Sequence, residues 1–142
     1  MFLNIRSATL DDELSVITLW RACDLVASYN DPAADFRFAL DGDNSTVLVG
    51  EDDRKTIVGA VMVGHDGHRG WLYYGAASPA LRGHGIGRKL VDAGESWLLA
   101  RHVVKVQLIV RPTNTAVVSF YEHLGFEEMP RTLMGKWLKK PD

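Results

Sequence analysis

Arg82-Gly83-His84-Gly85-Ile86-Gly87 sets three glycines at alternate positions between a strand-like run and a helix-like run. Without β-carbons at those positions, several backbone N–H groups can converge on one approaching group. The helix that follows contributes its unpaired leading amides and the positive end of its dipole. Arg82, His84, Arg88 and Lys89 surround this stretch in a chain whose net charge is −2. Together these features describe an anion site, most naturally for a phosphate or pyrophosphate. A tight strand-to-helix turn that binds nothing has the same glycine content and stays open as the alternative. A P-loop is excluded, because Gly87 is followed by Arg88-Lys89-Leu90 and not by Lys-Ser/Thr. The dinucleotide fingerprint is also disfavoured, since G-x-G-x-G replaces G-x-G-x-x-G and Gln107 stands where a ribose-binding acid is needed. ATP or NAD at this turn is therefore the weaker nucleotide reading.

Other reactive side chains are sparse. His65 and His68 flank Asp66, but zinc needs three or four ligands and a glycine-flanked turn holds them poorly, so no metal is expected. The one cysteine, Cys23, excludes an intrachain disulfide and any multi-cysteine metal site, and reads as a small buried hydrophobe. Trp20, Trp71, Trp97 and Trp137 fall one to an element, as core residues do.

The elements that must carry these residues can be read from periodicity. Phe2–Arg6 alternates as a short strand, and Thr9 with Asp12 matches a capping box that opens a helix. Leu14, Ile17, Trp20 and Cys23 mark the face that helix is expected to bury. Pro32 can take the first position of a second helix, roughly Ala33 to Leu40. Two β-branched runs, Thr46–Gly50 and Thr56–Val63, predict an antiparallel hairpin, and Trp71–Ala77 a third strand ended by Pro79. A helix follows the glycine turn with Ile86, Leu90, Ala93, Trp97 and Leu98 as its apolar stripe. Val103–Val110 reads as a strand, a last helix starts near Asn114 and is capped by Gly125-Phe126, and Thr132–Leu138 reads as a final strand. The order β-α-α-β-β-β-α-β-α-β predicts a mixed α+β fold in one domain spanning residues 1–142.

Composition narrows the class further. At 142 residues, with 46% hydrophobic and 24% charged residues, the chain can bury a core without staples. Sixteen basic against 18 acidic residues argue against a surface built for nucleic acid. No apolar run is long enough to span a bilayer, and the N-terminus lacks the pattern of a secretory signal. A cytoplasmic protein without nucleic-acid or membrane partners is the expectation.

The chain resembles the GNAT superfamily of N-acetyltransferases. Arg82-Gly83-His84-Gly85-Ile86-Gly87 fits the family's R/Q-x-x-G-x-G/A signature, and Ala76-Ala77-Ser78-Pro79 precedes it as expected. Asn114 follows the next strand, and Ser119-Phe120-Tyr121-Glu122-His123-Leu124-Gly125-Phe126 is similar to the family's FYEKLGF segment. His65–Trp71, Cys23-Asp24-Leu25 and Asn30-Asp31-Pro32 further resemble the small bacterial YpeA-like branch.

The resemblance implies a central, mostly antiparallel mixed sheet with splayed strands, flanked by four helices. It implies acetyl-CoA as donor, with the pyrophosphate on the amides from Gly83 through His84, Gly85, Ile86 and Gly87 and with Arg82 and Arg88 nearby. Ala76 and Ala77 would pair with the pantetheine arm as an added strand does. One such amide would also face the thioester oxygen as charge develops. Asn114 would cap a helix and touch the donor. Tyr121 would protonate the departing sulfur: a thiol pKa of about 8.5 and a phenol of about 10 make the mismatch modest. By spacing alone, Tyr121 also fits core packing with Val117 and Leu124.

Some relatives that acetylate protein N-termini carry a glutamate base where Ile109 stands; no base is assigned here, and water held by Tyr73, Tyr74 or a strand carbonyl, or an amine arriving neutral, are the alternatives. Tyr29, Asn30, Asp31, Arg69 and Tyr73 are the acceptor-binding candidates for a small-molecule or peptide amine. A donor-binding regulatory module is the alternative to an enzyme. A homodimer stays open, with the strand from Thr132 as a candidate edge.

Overall fold

The β-branched runs form the centre of a sheet, as their composition favours. The computed structural model describes residues 2–141, in two units, one ending at Leu108 and one beginning at Ile109.

In the first unit, β1 (Asn4–Ser7), β2 (Ser45–Glu51), β3 (Ile57–His65) and β4 (Gly70–Ala77) pair antiparallel in sequence order. The short β5 (Val106–Gln107) joins β4 in parallel. Helices α1 (Glu13–Ala22) and α2 (Pro32–Asp41) precede β2, and α3 (Ile86–Leu99) is the crossover between β4 and β5. The mixed, mostly antiparallel sheet agrees with the expected fold class.

Helices α1 and α2 cover one face, where Trp20 and Phe36 are fully buried among Val47, Val49, Ala60 and Ala76. Burying side chains of this size contributes roughly 1.5–3 kcal/mol each. The buried stripe of α1 is Val16, Leu19 and Trp20, with Leu14 78% exposed. Of the expected Leu14-Ile17-Trp20-Cys23 face, Trp20 is in the core and Ile17 and Cys23 pack against it half-buried, so the correction falls on Leu14. A three-residue step falls about 60° short of a full turn, so the three steps from Leu14 to Cys23 drift around the helix and leave Leu14 outside the buried side. Arg6 pairs with Asp12 at 2.8 Å and also bonds Glu51, tying β1 to the entry of α1 and to β2. Asp12 in turn accepts from the Thr9 N–H at 2.8 Å, one half of the capping box.

Helix α3 covers the other face. A β-carbon on Gly59 of β3 would lie 2.6 Å from Leu90 Cδ1 and 2.7 Å from Ile86 Cγ2, so the glycine lets the first turns of α3 settle onto the strand. That contact fixes where the glycine loop meets the helix.

Between Ala60 and Met62 of β3 the register with β4 shifts, leaving Tyr74 and Gly75 opposite one residue. Tyr74 takes the left-handed φ of +51°. This bulge reverses the facing of β4: Leu72 packs against Gly94 of α3, whereas Tyr74 and Ala76 join the cluster around Trp20. Bulges also sharpen strand twist, and β5 pairs with β4 only at Gly70 and Trp71. The strand expected over Val103–Val110 is confined to Val106–Gln107, where it meets Gly70 and Trp71.

In the second unit, α4 (Thr115–His123) begins at Asn114, whose side chain accepts from the Val117 N–H at 3.4 Å. It ends in a left-handed cap: Gly125 has φ +94°, Phe126 N–H donates to Tyr121 C=O and Gly125 N–H to Glu122 C=O, each at 3.0 Å. The strand expected over Thr132–Leu138 is not formed. Gly135 interrupts the run, and the adjacent pairs Leu133-Met134 and Trp137-Leu138 break the two-residue period a half-buried strand needs. Trp137 is 54% exposed, which corrects its assignment to the core. No described helix is long and apolar enough to cross a membrane.

Candidate active site

The glycine turn lies at the end of β4. Ser78 leads into a 3-10 turn over Pro79–Leu81, the chain passes through Arg82, Gly83 and His84, and Gly85 is the N-cap of α3. Gly83 and Gly85 have φ of +84° and +74°, the left-handed region where a β-carbon is strained. A β-carbon on either would meet no protein atom within 4 Å, so the glycines leave open space above the loop. Gly85 provides no side-chain cap, and the first helical bond runs from Lys89 N–H to Gly85 C=O at 3.1 Å. The amides of Ile86, Gly87 and Arg88 therefore precede the helical ladder. No acidic residue occupies the first turn, and Arg82, Arg88 and Lys89 are exposed around it. Ile86 is buried and anchors the turn. The combination of open glycines, leading amides and basic flanks fits a diphosphate.

Upstream, β4 presents the second component. Beyond Trp71 its outer side has no strand ladder with β5. Gly75 through Ala77 lie on this stretch, next to the bulge. An extended arm laid along such a side can be bound by main-chain hydrogen bonds, as an added strand is. On the α1 side, the Cys23 thiol donates to the Ala77 carbonyl at 3.3 Å, and burial raises the thiol's pKa. Cys23 therefore acts as a neutral buttress.

A cleft of about 860 Å³ opens beside the bulge on the α2 face, entirely within the first unit. Asn30 and Asp35, the turn at Asp43, the start of the β3–β4 hairpin at His65 and Asp66, and the β4 rings Trp71, Tyr73 and Tyr74 line it. Tyr74 stacks on Trp20 with centroids 4.2 Å apart, and its hydroxyl donates to Asp35 Oδ2 at 2.7 Å. Burial, reinforced by the adjacent Asp35 carboxylate, raises the Tyr74 phenol well above its ordinary value. Burial likewise raises Tyr73, with Asp66 adding to the effect. Asp66 accepts from the Arg69 and His68 N–H groups and from Trp71 Nε1, which pull its carboxyl down to about 2.

Of the acceptor candidates, Asn30 and Tyr73 line this cleft. Asp31 caps α2, accepting from the Ala33 and Ala34 N–H groups at 3.1 Å each. Tyr29 is 51% exposed in the connection before α2. Arg69 lies in the β3–β4 hairpin, where its guanidinium donates to the His68 carbonyl. Sequence reading passed over Asp35, Asp43 and Trp71 as site residues. The one local signal was the adjacent pair Tyr73-Tyr74 before Gly75, which regular alternation would have split between two faces. Among the described residues no group of three His, Cys, Asp or Glu is placed to hold a metal ion.

In the second unit, the Tyr121 ring meets Phe120 and Phe126 edge-on, with centroids 5.0 and 5.4 Å away. Burial raises its phenol, so it holds its proton at neutral pH.

A family model described as "Acetyltransferase (GNAT) family" matches residues 14–126. The chain is 43% identical to an acetyltransferase of Pectobacterium atrosepticum over 136 residues, 96% of each chain. It is similar in fold to AAC(6')-Iy, solved with the bisubstrate analogue CoA-S-monomethyl-acetylneamine, at TM-score 0.83 and 18% identity over 96% of this chain and 99% of that one. A protein of Clostridium acetobutylicum described as a predicted acetyltransferase, solved with acetyl-CoA, superposes at TM-score 0.77 and 16% identity over 95% of this chain and 96% of that one.

Proposed function

The chain belongs to the GNAT family of acetyltransferases, and on that premise we propose that it moves the acetyl group of acetyl-CoA directly onto a primary amine. The observation that carries this reading is the open loop at Gly83 and Gly85, whose leading α3 amides suit a diphosphate and which directly follows the free side of β4.

The amides of Gly83 to Arg88 hold the diphosphate, and Arg82 and Arg88 add charge without fixing geometry. Main-chain groups around Ala76 and Ala77 take the pantetheine arm. One amide there stabilises negative charge that develops on the thioester oxygen. The amine nitrogen must be neutral to attack. Its bond to the acetyl carbon forms as the carbon–sulfur bond breaks, the nitrogen gives its extra proton to solvent, and the sulfur takes one from Tyr121. The role of Tyr121 rests on its place in the Ser119–Phe126 segment; burial raises the phenol, which holds the proton until transfer and widens the mismatch with the thiol. Asn114 is assigned to the donor on the same basis. The acceptor is a small-molecule or peptide amine. The bisubstrate analogue CoA-S-monomethyl-acetylneamine, bound by a structural neighbour, is in keeping with a small-molecule amine acceptor. The regulatory alternative draws no support, since the relatives bear acetyltransferase names.

The test is thiol release from acetyl-CoA across a panel of primary amines. Amine-dependent release above hydrolysis supports transfer. Donor binding with no release on any amine would return the regulatory reading.

A further inference from the structure

Among the described residues that line the α2-side cleft are three carboxylates, Asp35, Asp43 and Asp66, and no lysine or arginine. Its walls are aromatic: Trp71 and Tyr73 stack along β4 with centroids 6.3 Å apart and planes 17° from parallel, and Tyr74 follows across the bulge. Two of the carboxylates set those rings. Asp66 Oδ2 accepts from Trp71 Nε1 at 3.2 Å and Asp35 Oδ2 accepts from Tyr74 Oη at 2.7 Å. Tyr73 remains 47% exposed, available to a ligand. Aromatic faces backed by carboxylates in an open cleft favour an ammonium group, through both the ring quadrupole and charge.

That preference conflicts with simple acetylation at the same spot. A carboxylate beside an amine favours its protonated form, and a protonated amine cannot attack a thioester. The nitrogen that reacts and the nitrogen that the cleft binds must therefore differ.

We propose that this cleft binds an acceptor carrying a second ammonium group, a diamine or polyamine, holding that charge against the Trp71–Tyr73 rings in the combined field of the lining carboxylates Asp35, Asp43 and Asp66 while the other nitrogen is presented at the Tyr74–Gly75 bulge. The inference rests on the transfer reading above and gives it a substrate class. Asp66, with its oxygens engaged by two amides and an indole, acts through charge and by fixing Trp71. Asp35 has one oxygen taken by Tyr74. Asp43 stands exposed at the turn between α2 and β2 and supplies charge at the mouth.

The experiment uses 1,4-diaminobutane, 1-aminobutane and 4-aminobutanoate, which share a reacting amine and differ at the far end as cation, neutral group and anion. Binding to the full chain is measured by calorimetry with and without CoA, and kcat/KM with acetyl-CoA. The diamine should bind at least about tenfold more tightly than the monoamine, with the amino acid weakest, and half-molar salt should shrink the spread. Asp43→Asn and Tyr73→Leu should each cut the diamine preference by about threefold. Equal affinities, a preference for the amino acid, or no binding of any of the three at 10 mM would overturn the inference. Charge-blind turnover would overturn it and leave acetyl transfer standing. Diamine binding in the expected order without thiol release would uphold the cleft assignment and remove the transfer reading.

Discussion

The Tyr74 hydroxyl donates to Asp35 Oδ2 at 2.7 Å, joining the bulge of β4 to α2 across the mouth of the cleft. The bond holds a residue whose backbone sits at φ +51°, an unfavourable place for a bulky side chain. The stacking of its ring on Trp20 adds to that restraint. Tyr74→Phe should keep the stacking, lose the bond and leave the Asp35 carboxylate short of a donor, at about 1–2 kcal/mol of stability. Because the folded phenol is raised by burial and by Asp35, the unfolded chain loses this proton first. The contribution is therefore complete below about pH 10 and fades above it. Denaturant titrations at pH 8 and pH 11 should show wild type and Tyr74→Phe converging at the higher pH. A constant gap between them would contradict this account.

At the other end of the pH scale, Arg6 holds Asp12 below the usual carboxylate range. A depressed carboxyl stabilises the fold above its unfolded value, and the effect is lost as pH falls through the folded one. Asp12→Asn should cost about 1–2 kcal/mol at pH 7 and less at pH 2. Thermal melts across that range check the sign.

Gly85→Ala probes the loop. Nothing in the protein obstructs the new methyl, so the stability cost is the left-handed backbone alone, about 1–2 kcal/mol. Acetyl-CoA affinity should fall by about tenfold or more as the leading amides of α3 tilt and the methyl enters the open space. Calorimetry separates the two effects, and unchanged affinity in a folded variant would remove the loop from donor binding.

Tyr121→Phe should slow turnover at saturating donor by about 10²–10⁴-fold with little change in acetyl-CoA binding. Gly125→Ala strains the cap that brings Phe126 against Tyr121, and should cost about 1–2 kcal/mol. Full activity in Tyr121→Phe would take the phenol out of the mechanism.

Sequence order and hydrophobic period made the sheet, the four helices and the family legible, because each depends on local pattern or on a run of named residues. The loop was legible for the same reason: glycines at 83, 85 and 87 allow left-handed backbone and open amides that other residues would not. Leu14 misled because a three-residue step only approximates a helical stripe. Val103–Val110 misled because strand length depends on the partner, and the ladder with β4 covers only Gly70 and Trp71. The cleft was largely hidden. Asp35, Asp43, Asp66 and Trp71 come from a helix, a turn, a hairpin and a strand, and only the register shift opposite Val61 brings Tyr73 and Tyr74 to the same side of the sheet.

Backbone amide resonances followed during an acetyl-CoA titration test the donor site most directly. The account predicts saturable shifts, at sub-millimolar donor, that are largest at Gly83, Gly85, Ile86, Gly87 and Arg88, with smaller ones at Ala76 and Ala77. Resonances at 83–88 that stay fixed at millimolar donor, or shifts centred on another part of the chain, would contradict it.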